Sequence, residues 1–279
     1  MIVVRDLTDL RDRLGDWRAQ GLTIGLVPTM GALHAGHLSL IDILRKRTDR
    51  VVVSIFLNPK QFDSDADLER YPRDLDSDVA QLAGQGTDLV YAPSAEEMYP
   101  QGFATTVSVA GLTDSLEGAH RQGHFIGVAT VVAKLLIQCQ PDAALFGEKD
   151  YQQLAVLSRL VADLDLPVEI VPGPIVREAD GLALSSRNAY LSAEERQIAP
   201  KLYETLIDLA ARAEAGEALA GLEAEGAATL LAAGFDHVDY LEFRDADSLE
   251  PVATLNQPTR LLAVARLGET RLLDNLPVG

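Results

Sequence analysis

Residues 27–40 read Val27-Pro28-Thr29-Met30-Gly31-Ala32-Leu33-His34-Ala35-Gly36-His37-Leu38-Ser39-Leu40. The apolar run from Leu22 to Val27 is typical of a buried parallel strand, and Pro28 is expected to close it because proline cannot donate to a ladder. Beyond Gly36, apolar and charged residues recur at a helical period. The stretch therefore predicts a strand, a glycine turn and the start of a helix.

This turn has the features of an anion site. A helix N-terminus presents unpaired backbone N–H groups and a partial positive charge, which suit phosphate. His34 and His37 are three residues apart, so a helix groups them on one face, where imidazoles can donate to phosphate oxygens. A plain helix cap and a two-histidine metal site are the alternatives. Gly31 and Gly36 favour phosphate, and no third residue of metal-ligand type lies nearby in sequence.

The alternation of strands and helices continues through the first two thirds of the chain. Helices are expected over residues 5–20 and 126–138, and strands over 51–57, 88–91, 104–109, 142–146 and 166–171. This order predicts an α/β fold with a Rossmann-like, doubly wound parallel sheet, whose ligands lie at the carboxyl ends of the strands.

The alternation of predicted strands and helices is interrupted at Pro172-Gly173-Pro174. We predict a Rossmann-like domain over residues 1–175 and a smaller C-terminal α+β domain over residues 176–279. In the second domain, Asp180-Gly181 indicates a tight turn, and Ser192 to Glu195 form a capping box that is expected to begin a long helix. Helices to about residue 233 and strands at 237–243 and 261–266 complete the prediction.

Polar residues follow several of the predicted strands. Asn58 and Gln61 come after the second strand, on the rim where His34 and His37 are expected, although an Asn-Pro turn would account for Asn58 alone. Lys149 follows a strand and a glycine, at a helix start where a cation opposes the helix dipole unless an anion is present. The neighbouring Asp150 and Gln153 could instead form a capping box.

Other polar segments offer further candidates. Arg121 is a candidate phosphate clamp with Lys134 a lesser one, and Ser185-Ser186-Arg187 offers two hydroxyls and a guanidinium. The acidic stretch over residues 63–78 is expected to be a solvated face or a mobile flap, with one or two carboxylates able to hold Mg²⁺.

Composition narrows the partners and the compartment. The formal net charge of −18 argues against nucleic acid and requires an anion-binding protein to gather its few cations in one pocket. The start lacks an uninterrupted apolar run, and residues 125–139 are broken by Lys134 and too short to span a membrane. The single cysteine, Cys139, suits a reducing compartment. We expect a cytoplasmic protein with no membrane partner.

Five blocks in this order resemble the pantothenate synthetase (pantoate:β-alanine ligase) family of the His-x-Gly-His nucleotidyltransferase superfamily. They are residues 28–37, Asn58-Pro59-Lys60-Gln61-Phe62, Phe146-Gly147-Glu148-Lys149-Asp150-Tyr151-Gln152-Gln153, residues 176–183, and Leu184-Ser185-Ser186-Arg187-Asn188. Ala35 stands where many members have an acidic residue, at the variable position of the motif.

The resemblance implies ATP-dependent condensation of (R)-pantoate with β-alanine, giving pantothenate, AMP and pyrophosphate through a pantoyl adenylate, a step of coenzyme A biosynthesis. Mg²⁺ would accompany ATP, the C-terminal domain would act as a lid, and family members are typically homodimers. A nucleotidyltransferase that adenylylates a phosphate ester and a non-catalytic nucleotide-binding module are the alternatives.

The resemblance also assigns roles to residues. His37, His34 and Lys149 would be catalytic. Gln61 and Gln153 resemble pantoate-binding glutamines that also bear on β-alanine, with Asn58 and Arg121 as further candidates for the substrate site. The implied ATP site comprises Met30, Gly31, Ala32, Leu33, His34, Ala35, Gly36, His37, Gly147, Glu148, Lys149, Asp150, Val176, Leu184, Ser185, Ser186 and Arg187. No metal ligand is assigned.

Overall fold

The computed structural model describes residues 1–279, apart from the side chain of Asp65. The chain divides into two compact units. An N-terminal unit contains Met1–Glu148 and Gln153–Pro174, and a C-terminal unit contains Lys149–Gln152 and Ile175–Gly279. Among the helices described, none is long and apolar enough to cross a membrane.

The N-terminal unit is built on a six-stranded parallel sheet in the order β1-β4-β3-β2-β5-β6. The strands are β1 (Ile2–Val4), β2 (Ile24–Thr29), β3 (Arg50–Ile55), β4 (Leu89–Tyr91), β5 (Ala143–Gly147) and β6 (Glu169–Gly173). From β2 the chain runs outward through β3 to β4, then crosses to β5 on the other side of β2. The strand order therefore reverses between β2 and β5, and the predicted doubly wound, Rossmann-like sheet is confirmed.

Helices surround this sheet. They are α1 (Leu7–Ala19), α2 (Ala35–Leu44), α3 (Asp65–Arg70), α4 (Leu75–Ala83), α5 (Ala95–Met98), α6 (Glu117–His120), α7 (His124–Cys139) and α8 (Tyr151–Asp163), with short 3-10 helices at Pro59–Gln61 and Glu148–Asp150. Alternate strand residues enter two apolar clusters. Leu26 and Val52 pack with side chains of α1, α7 and α8, whereas Val27 and Val53 pack with those of α2 and α4. Both faces are covered, which explains the continuous apolar strands.

The C-terminal unit carries a three-stranded antiparallel sheet in the order β7-β8-β9. Its elements are α9 (Ala193–Ile198), α10 (Lys201–Glu214), α11 (Leu219–Ala232), β7 (His237–Asp245), β8 (Thr259–Leu267) and β9 (Thr270–Val278), with a 3-10 helix at Ser186–Tyr190. A leucine-rich cluster joins α10 and α11 to the sheet. The predicted smaller α+β region is confirmed, although β9 was not anticipated.

Several predicted boundaries are wrong for local reasons. Pro28 does not close β2 but lies within it, opposite Ser54 of β3. On its other side β5 pairs with β2 only at Gly25 and Leu26, so no strand lies there to receive an N–H from Pro28. Proline is tolerated at such a position because its missing N–H breaks no hydrogen bond of the sheet. No strand forms over 104–109, where the Val107 N–H is bonded to the Thr130 hydroxyl instead. The capping box at Ser192 forms, but it opens only the short α9, because Pro200 has no N–H to continue that helix.

Candidate active site

The turn between β2 and α2 holds the two histidines at the carboxyl end of the sheet. Gly31 has φ +87, and a Cβ at that position would lie 2.9 Å from a carboxylate oxygen of Asp78. A side chain there would be strained in both respects, so this turn requires glycine. His34 is the N-cap of α2, with extended backbone angles. The chain therefore delivers His34 and His37 to the N-terminal end of a helix, as the sequence predicts.

The two imidazoles cap the helix reciprocally. The Gly36 N–H donates to His34 Nδ1 at 3.1 Å, and the His34 N–H donates to His37 Nδ1 at 3.4 Å. Their ring centroids are 4.1 Å apart. Because a backbone N–H can only donate, each Nδ1 must accept, and the neutral rings carry their protons on Nε2. The capping box thus gives both histidines the tautomer that donates through Nε2.

The backbone amides of this turn have acceptors within the protein. The Ala32 and Leu33 N–H groups donate to the Asp78 carboxylate at 2.9 and 2.8 Å. The His37 and Leu38 N–H groups both donate to the His34 carbonyl. The prediction of an anion site made of unpaired amides is wrong for these groups. The hydrogen-bond donors that this turn offers to a ligand are therefore the imidazole Nε2–H groups.

Asp78 was missed by the sequence interpretation. It belongs to the acidic stretch predicted to be a solvated face or a mobile flap, yet it is 3% exposed. Burial raises the pKa of Asp78, and the hydrogen bonds from Leu33 and Ala32 offset this only in part. The signal was available, because Leu75, Asp78, Val79 and Leu82 follow the i, i+3, i+4, i+7 spacing of a buried helix face. Asp78 therefore fastens α4 to the histidine turn.

Asn58 and Gln61 lie together at the end of β3, as predicted. Asn58 is 1% exposed, and its Nδ2 donates to Gln61 Oε1 at 2.9 Å and to the Gly127 carbonyl at 3.1 Å. Its Oδ1 accepts from the Tyr99 hydroxyl at 2.8 Å and from the Lys60 N–H at 3.3 Å. Both donors and both acceptor positions of the amide are thus engaged within the unit. Asn58 is placed to orient Gln61.

The segment before α7 supports the same glutamine. His124 Nδ1 lies 2.8 Å from the Gln61 carbonyl, and Arg121 Nη2 lies 3.4 Å from it. Arg121 also pairs with Asp63 at 3.4 Å and Glu117 at 3.5 Å. This guanidinium, predicted as a phosphate clamp, is engaged with two carboxylates beside the Gln61 backbone.

The end of β5 contributes the next predicted block. Gly147 ends the strand, Glu148 begins a 3-10 helix, and Gln153 lies half-buried in the first turn of α8. In the C-terminal unit, the Lys149 carbonyl accepts from Asn275 Nδ2 at 2.9 Å. Parallel strands present their carboxyl ends at one edge, so Gly147 shares an edge of the sheet with the histidine turn and Gln61.

The segment over residues 176–188 forms a tight reversal in the C-terminal unit. The Leu184 N–H donates to the Val176 carbonyl at 2.9 Å, and Gly181 at the tip has φ +92. The Asp180-Gly181 turn is therefore confirmed. Ser185 caps the 3-10 helix that contains Ser186 and Arg187. A pocket in this unit is lined by side chains that include Lys149, Ser185, Asn188, Tyr203 and Arg271.

Metal ligands are not clustered in the described residues. No group of three or more histidine, cysteine, aspartate or glutamate side chains is arranged there to hold an ion. Cys139 is buried, which raises the pKa of its thiol to about 12. A cysteine of this kind is almost entirely protonated at neutral pH, so Cys139 is not an activated nucleophile.

The fold and site define a class: an α/β enzyme whose donor-bearing histidine turn lies beside the topological switch point of a parallel sheet. The pantoate-beta-alanine ligase family model matches residues 2–277, and the chain belongs to this family of ligases.

Similar proteins support the assignment over the whole length. The chain is 56% identical to a pantothenate synthetase of Paramagnetospirillum magneticum, covering 99% of this chain and 97% of the relative. It is 48% identical to the crystal structure of pantothenate synthetase from Thermus thermophilus, with a TM-score of 0.94 and 99% of each chain covered. A Francisella tularensis pantoate-beta-alanine ligase, complexed with beta-gamma ATP and beta-alanine, is 34% identical with a TM-score of 0.85, covering 99% and 97%.

Proposed function

We propose that this protein condenses (R)-pantoate with β-alanine at the expense of ATP, releasing pantothenate, AMP and pyrophosphate. The observation that carries the proposal is the reciprocal cap of His34 and His37, which places two Nε2 donors at the carboxyl end of β2 in a chain of this family. The solved relative complexed with beta-gamma ATP and β-alanine supports the same substrates here.

The reaction runs in two steps. A pantoate carboxylate oxygen bonds to the α-phosphorus of ATP, the bond to the bridging oxygen breaks, and pyrophosphate leaves, giving pantoyl adenylate. The amine of β-alanine then attacks the acyl carbon, loses a proton, and AMP leaves. Neither step needs a protein nucleophile, in keeping with the inert Cys139. Catalysis comes from positioning and from stabilising the charge that develops on phosphate oxygens.

We assign the ATP site to residues 30–37, Gly147–Asp150, Val176 and Leu184–Arg187. Donation from His34 and His37 Nε2 would stabilise the transferring phosphoryl group, and Lys149 and Arg187 would neutralise phosphate charge. We place the boundary between the two functional domains after residue 175. Gln61 and Gln153 would bind pantoate and bear on β-alanine, whereas Asn58 and Arg121 would act by holding Gln61.

Mg²⁺ fits this proposal as a companion of ATP. The described residues form no cluster of three metal-ligating side chains, and magnesium commonly relies on substrate phosphates and water with few protein ligands. The ion would neutralise phosphate charge. We further propose a cytoplasmic homodimer that acts on these small molecules and not on nucleic acid.

The test is an omission experiment. Purified protein is incubated with ATP, Mg²⁺, pantoate and β-alanine, and AMP, ADP and pantothenate are quantified with each acid omitted in turn. We expect AMP and pantothenate in equal amounts only when both acids are present, and pyrophosphate exchange into ATP with pantoate alone. Exchange that ignores pantoate but responds to a phosphate ester would establish the alternative nucleotidyltransferase.

A further inference from the structure

We propose that Tyr99 is a positioning residue for the acid substrate, because its hydroxyl fixes the amide of Asn58 and, through it, the amide of Gln61. The inference rests on the proposed role of Gln61 in binding pantoate. It adds to that role a relay of three side chains, Tyr99 to Asn58 to Gln61, that sets which end of the glutamine amide meets the substrate.

The direction of the Asn58 amide follows from its neighbours. The Gly127 carbonyl, 3.1 Å away, can only accept, so the nitrogen of Asn58 must face it. On the other side, the Lys60 N–H can only donate, so the oxygen of Asn58 must face Lys60. The Tyr99 hydroxyl donates to the same oxygen at 2.8 Å. The assignment of nitrogen and oxygen is therefore determined by chemistry.

The direction of the Gln61 amide follows from that of Asn58. The second N–H of Asn58 Nδ2 points at the Gln61 side chain, so the atom that receives it at 2.9 Å must be Oε1. Gln61 Nε2 is consequently turned away from Asn58 and retains donors for a ligand. A primary amide presented in this way selects acceptors, such as the carboxylate or hydroxyl oxygens of a small hydroxy acid.

Tyr99 is suited to the first position of this relay. Burial raises the pKa of Tyr99 to about 12, so its phenol stays protonated and can donate throughout the neutral range. The ring is held by an edge contact with Phe56 and a tilted contact with Phe103, at centroid distances of 6.0 and 5.0 Å. Its hydroxyl provides the shorter of the two bonds to Asn58 Oδ1, the other being 3.3 Å long.

The first variant is Tyr99→Phe, which removes one oxygen and keeps the ring. We expect the KM for pantoate to rise about ten-fold, the factor that corresponds to one hydrogen bond, with the KM for ATP changed less than two-fold and the Tm preserved. Tyr91→Phe is the control, because the Tyr91 hydroxyl is buried but has no hydrogen-bond partner among the described atoms. It should leave both KM values unchanged.

The second variant tests the route. If Tyr99 acts through Gln61, the ten-fold effect should disappear when Tyr99→Phe is introduced into a Gln61→Ala background. A full ten-fold effect in that background, or an unchanged pantoate KM in the single variant, would overturn the inference. Equal rises in both KM values together with a lowered Tm would also overturn it, in favour of a structural role. Absence of pantoate-dependent pyrophosphate exchange in the unaltered protein would instead refute the proposed function itself.

Discussion

His34 and His37 show how one local arrangement serves both folding and chemistry. Each Nδ1 accepts a backbone N–H of the same turn, and this bond decides where the ring proton resides. A residue that caps a helix is usually replaceable by serine or asparagine. In the proposed function the Nε2 proton of each ring is donated to phosphate, and neither replacement would supply that donor. The proposed function therefore requires histidine at these positions for a reason beyond capping.

The first prediction concerns the second histidine of this pair. His37→Ala should lower the rate of pantoate-dependent AMP formation by about 10²–10³-fold, because it removes a donor to the developing phosphate charge. The circular dichroism spectrum should be unchanged, since α2 retains the His34 cap. His237→Ala is the control, as its side chain is 64% exposed on β7. Activity of His37→Ala within a few-fold of the parent would contradict the assigned role.

The second prediction concerns Asp78. Asp78→Asn should lower kcat/KM for ATP by about ten-fold or more, because the Ala32 and Leu33 N–H groups donate to different oxygens of the carboxylate, and one of these oxygens becomes an amide nitrogen that cannot accept. Its NH₂ group would face the other N–H and displace the turn. Asp76→Asn, two residues earlier on the same helix, is the control. Steady-state kinetics in which the two variants behave alike would refute the role of Asp78.

The site residues differ in how far sequence could reveal them. His34, His37 and Gln61 stand out because polar side chains follow apolar strands at the ligand edge of a parallel sheet. Asp78 was not recognised, because the acidic residues around it indicated a solvated segment and it was not assigned to the buried face of α4. Asn58 was anticipated as a ligand candidate, yet its amide is engaged within the protein. Which atom of a side chain is already bonded depends on tertiary contacts, such as that with Tyr99, which no local pattern encodes.

At the scale of elements, a close contact joins α7 to the 3-10 helix Pro59–Gln61, which carries the proposed pantoate-binding Gln61. A Cβ at Gly127 would lie 2.1 Å from the Lys60 carbonyl oxygen. The helix and the strand end therefore meet backbone to backbone, and only glycine permits the approach. Any side chain there would separate Gln61 from the helix that holds Asn58.

The third prediction follows from this contact. Gly127→Ala should raise the KM for pantoate and lower the Tm by several degrees, because the added methyl must push Pro59–Gln61 away from α7. The matched control is Gly221→Ala in α11, where a Cβ would meet nothing within 4 Å. That substitution should be neutral or slightly stabilising, since alanine favours a helix. Steady-state kinetics and thermal unfolding of the two variants check these expectations. An unchanged KM for pantoate in Gly127→Ala would refute the prediction.

A buried ion-pair cluster stabilises the C-terminal sheet. Asp239 on β7 has a side chain that is 2% exposed and lies 3.1 Å from Arg266 on β8 and 2.7 Å from Arg271 on β9. These two arginines are directly opposed across the β8–β9 ladder. Burial alone would raise the pKa of Asp239, but the hydrogen bonds and charges of Arg271 and Arg266 outweigh it and lower the pKa.

The fourth prediction is a pH dependence. A lowered pKa in the folded state contributes stability that is fully present above the unfolded value and is lost as the pH falls through the folded one. Asp239→Asn should therefore lower the free energy of unfolding by about 2 kcal/mol at pH 7, since Arg266 is partly solvated, and the difference should shrink below pH 4. Urea unfolding at pH 7 and pH 3, with Asp247→Asn as control, checks this. A difference independent of pH would contradict the ion-pair account.

The helices and strands could largely be predicted where the sequence contains long apolar runs. β2, β3 and α7 are long apolar runs, and their positions were found within two residues. β1 was not predicted because it is three residues long and two of them are exposed. The segment over 104–109 was misassigned because its backbone bonds to side chains, the Val107 N–H to the Thr130 hydroxyl of α7 and the Val109 carbonyl to the Thr113 hydroxyl. Short segments carry too little periodicity to outweigh such tertiary contacts.

For the whole molecule, acidic charge must be reconciled with anionic substrates. The formal net charge is −18, so the surrounding field opposes the approach of ATP and pantoate. Within the N-terminal unit, the imidazoles lie at the end of β2 and the Gln61 amide lies at the end of β3. Within the C-terminal unit, Lys149 and Arg271 line one pocket. The net charge of the chain thus does not predict which hydrogen-bond donors and cations are available at a candidate site.

The division of the chain was only partly accessible to sequence. The Pro172-Gly173-Pro174 run pointed to the neighbourhood in which the C-terminal unit resumes at Ile175. Nothing in the sequence indicated that Lys149–Gln152 groups with that unit. The Asn275 amide, the Ala246 carbonyl bonded by the Tyr151 hydroxyl, and the Arg260 guanidinium stacked on the Tyr151 ring supply the reason. These contacts join residues about a hundred positions apart.

The central claim is that a pantoate carboxylate oxygen attacks the α-phosphorus of ATP. The most direct measurement uses pantoate labelled with ¹⁸O in both carboxylate oxygens, with ATP, Mg²⁺ and β-alanine, followed by mass spectrometry of the products. We predict one ¹⁸O atom in AMP and one in pantothenate, because the bridging oxygen of the adenylate leaves with AMP. Label in orthophosphate accompanied by ADP, or unlabelled AMP, would contradict the account.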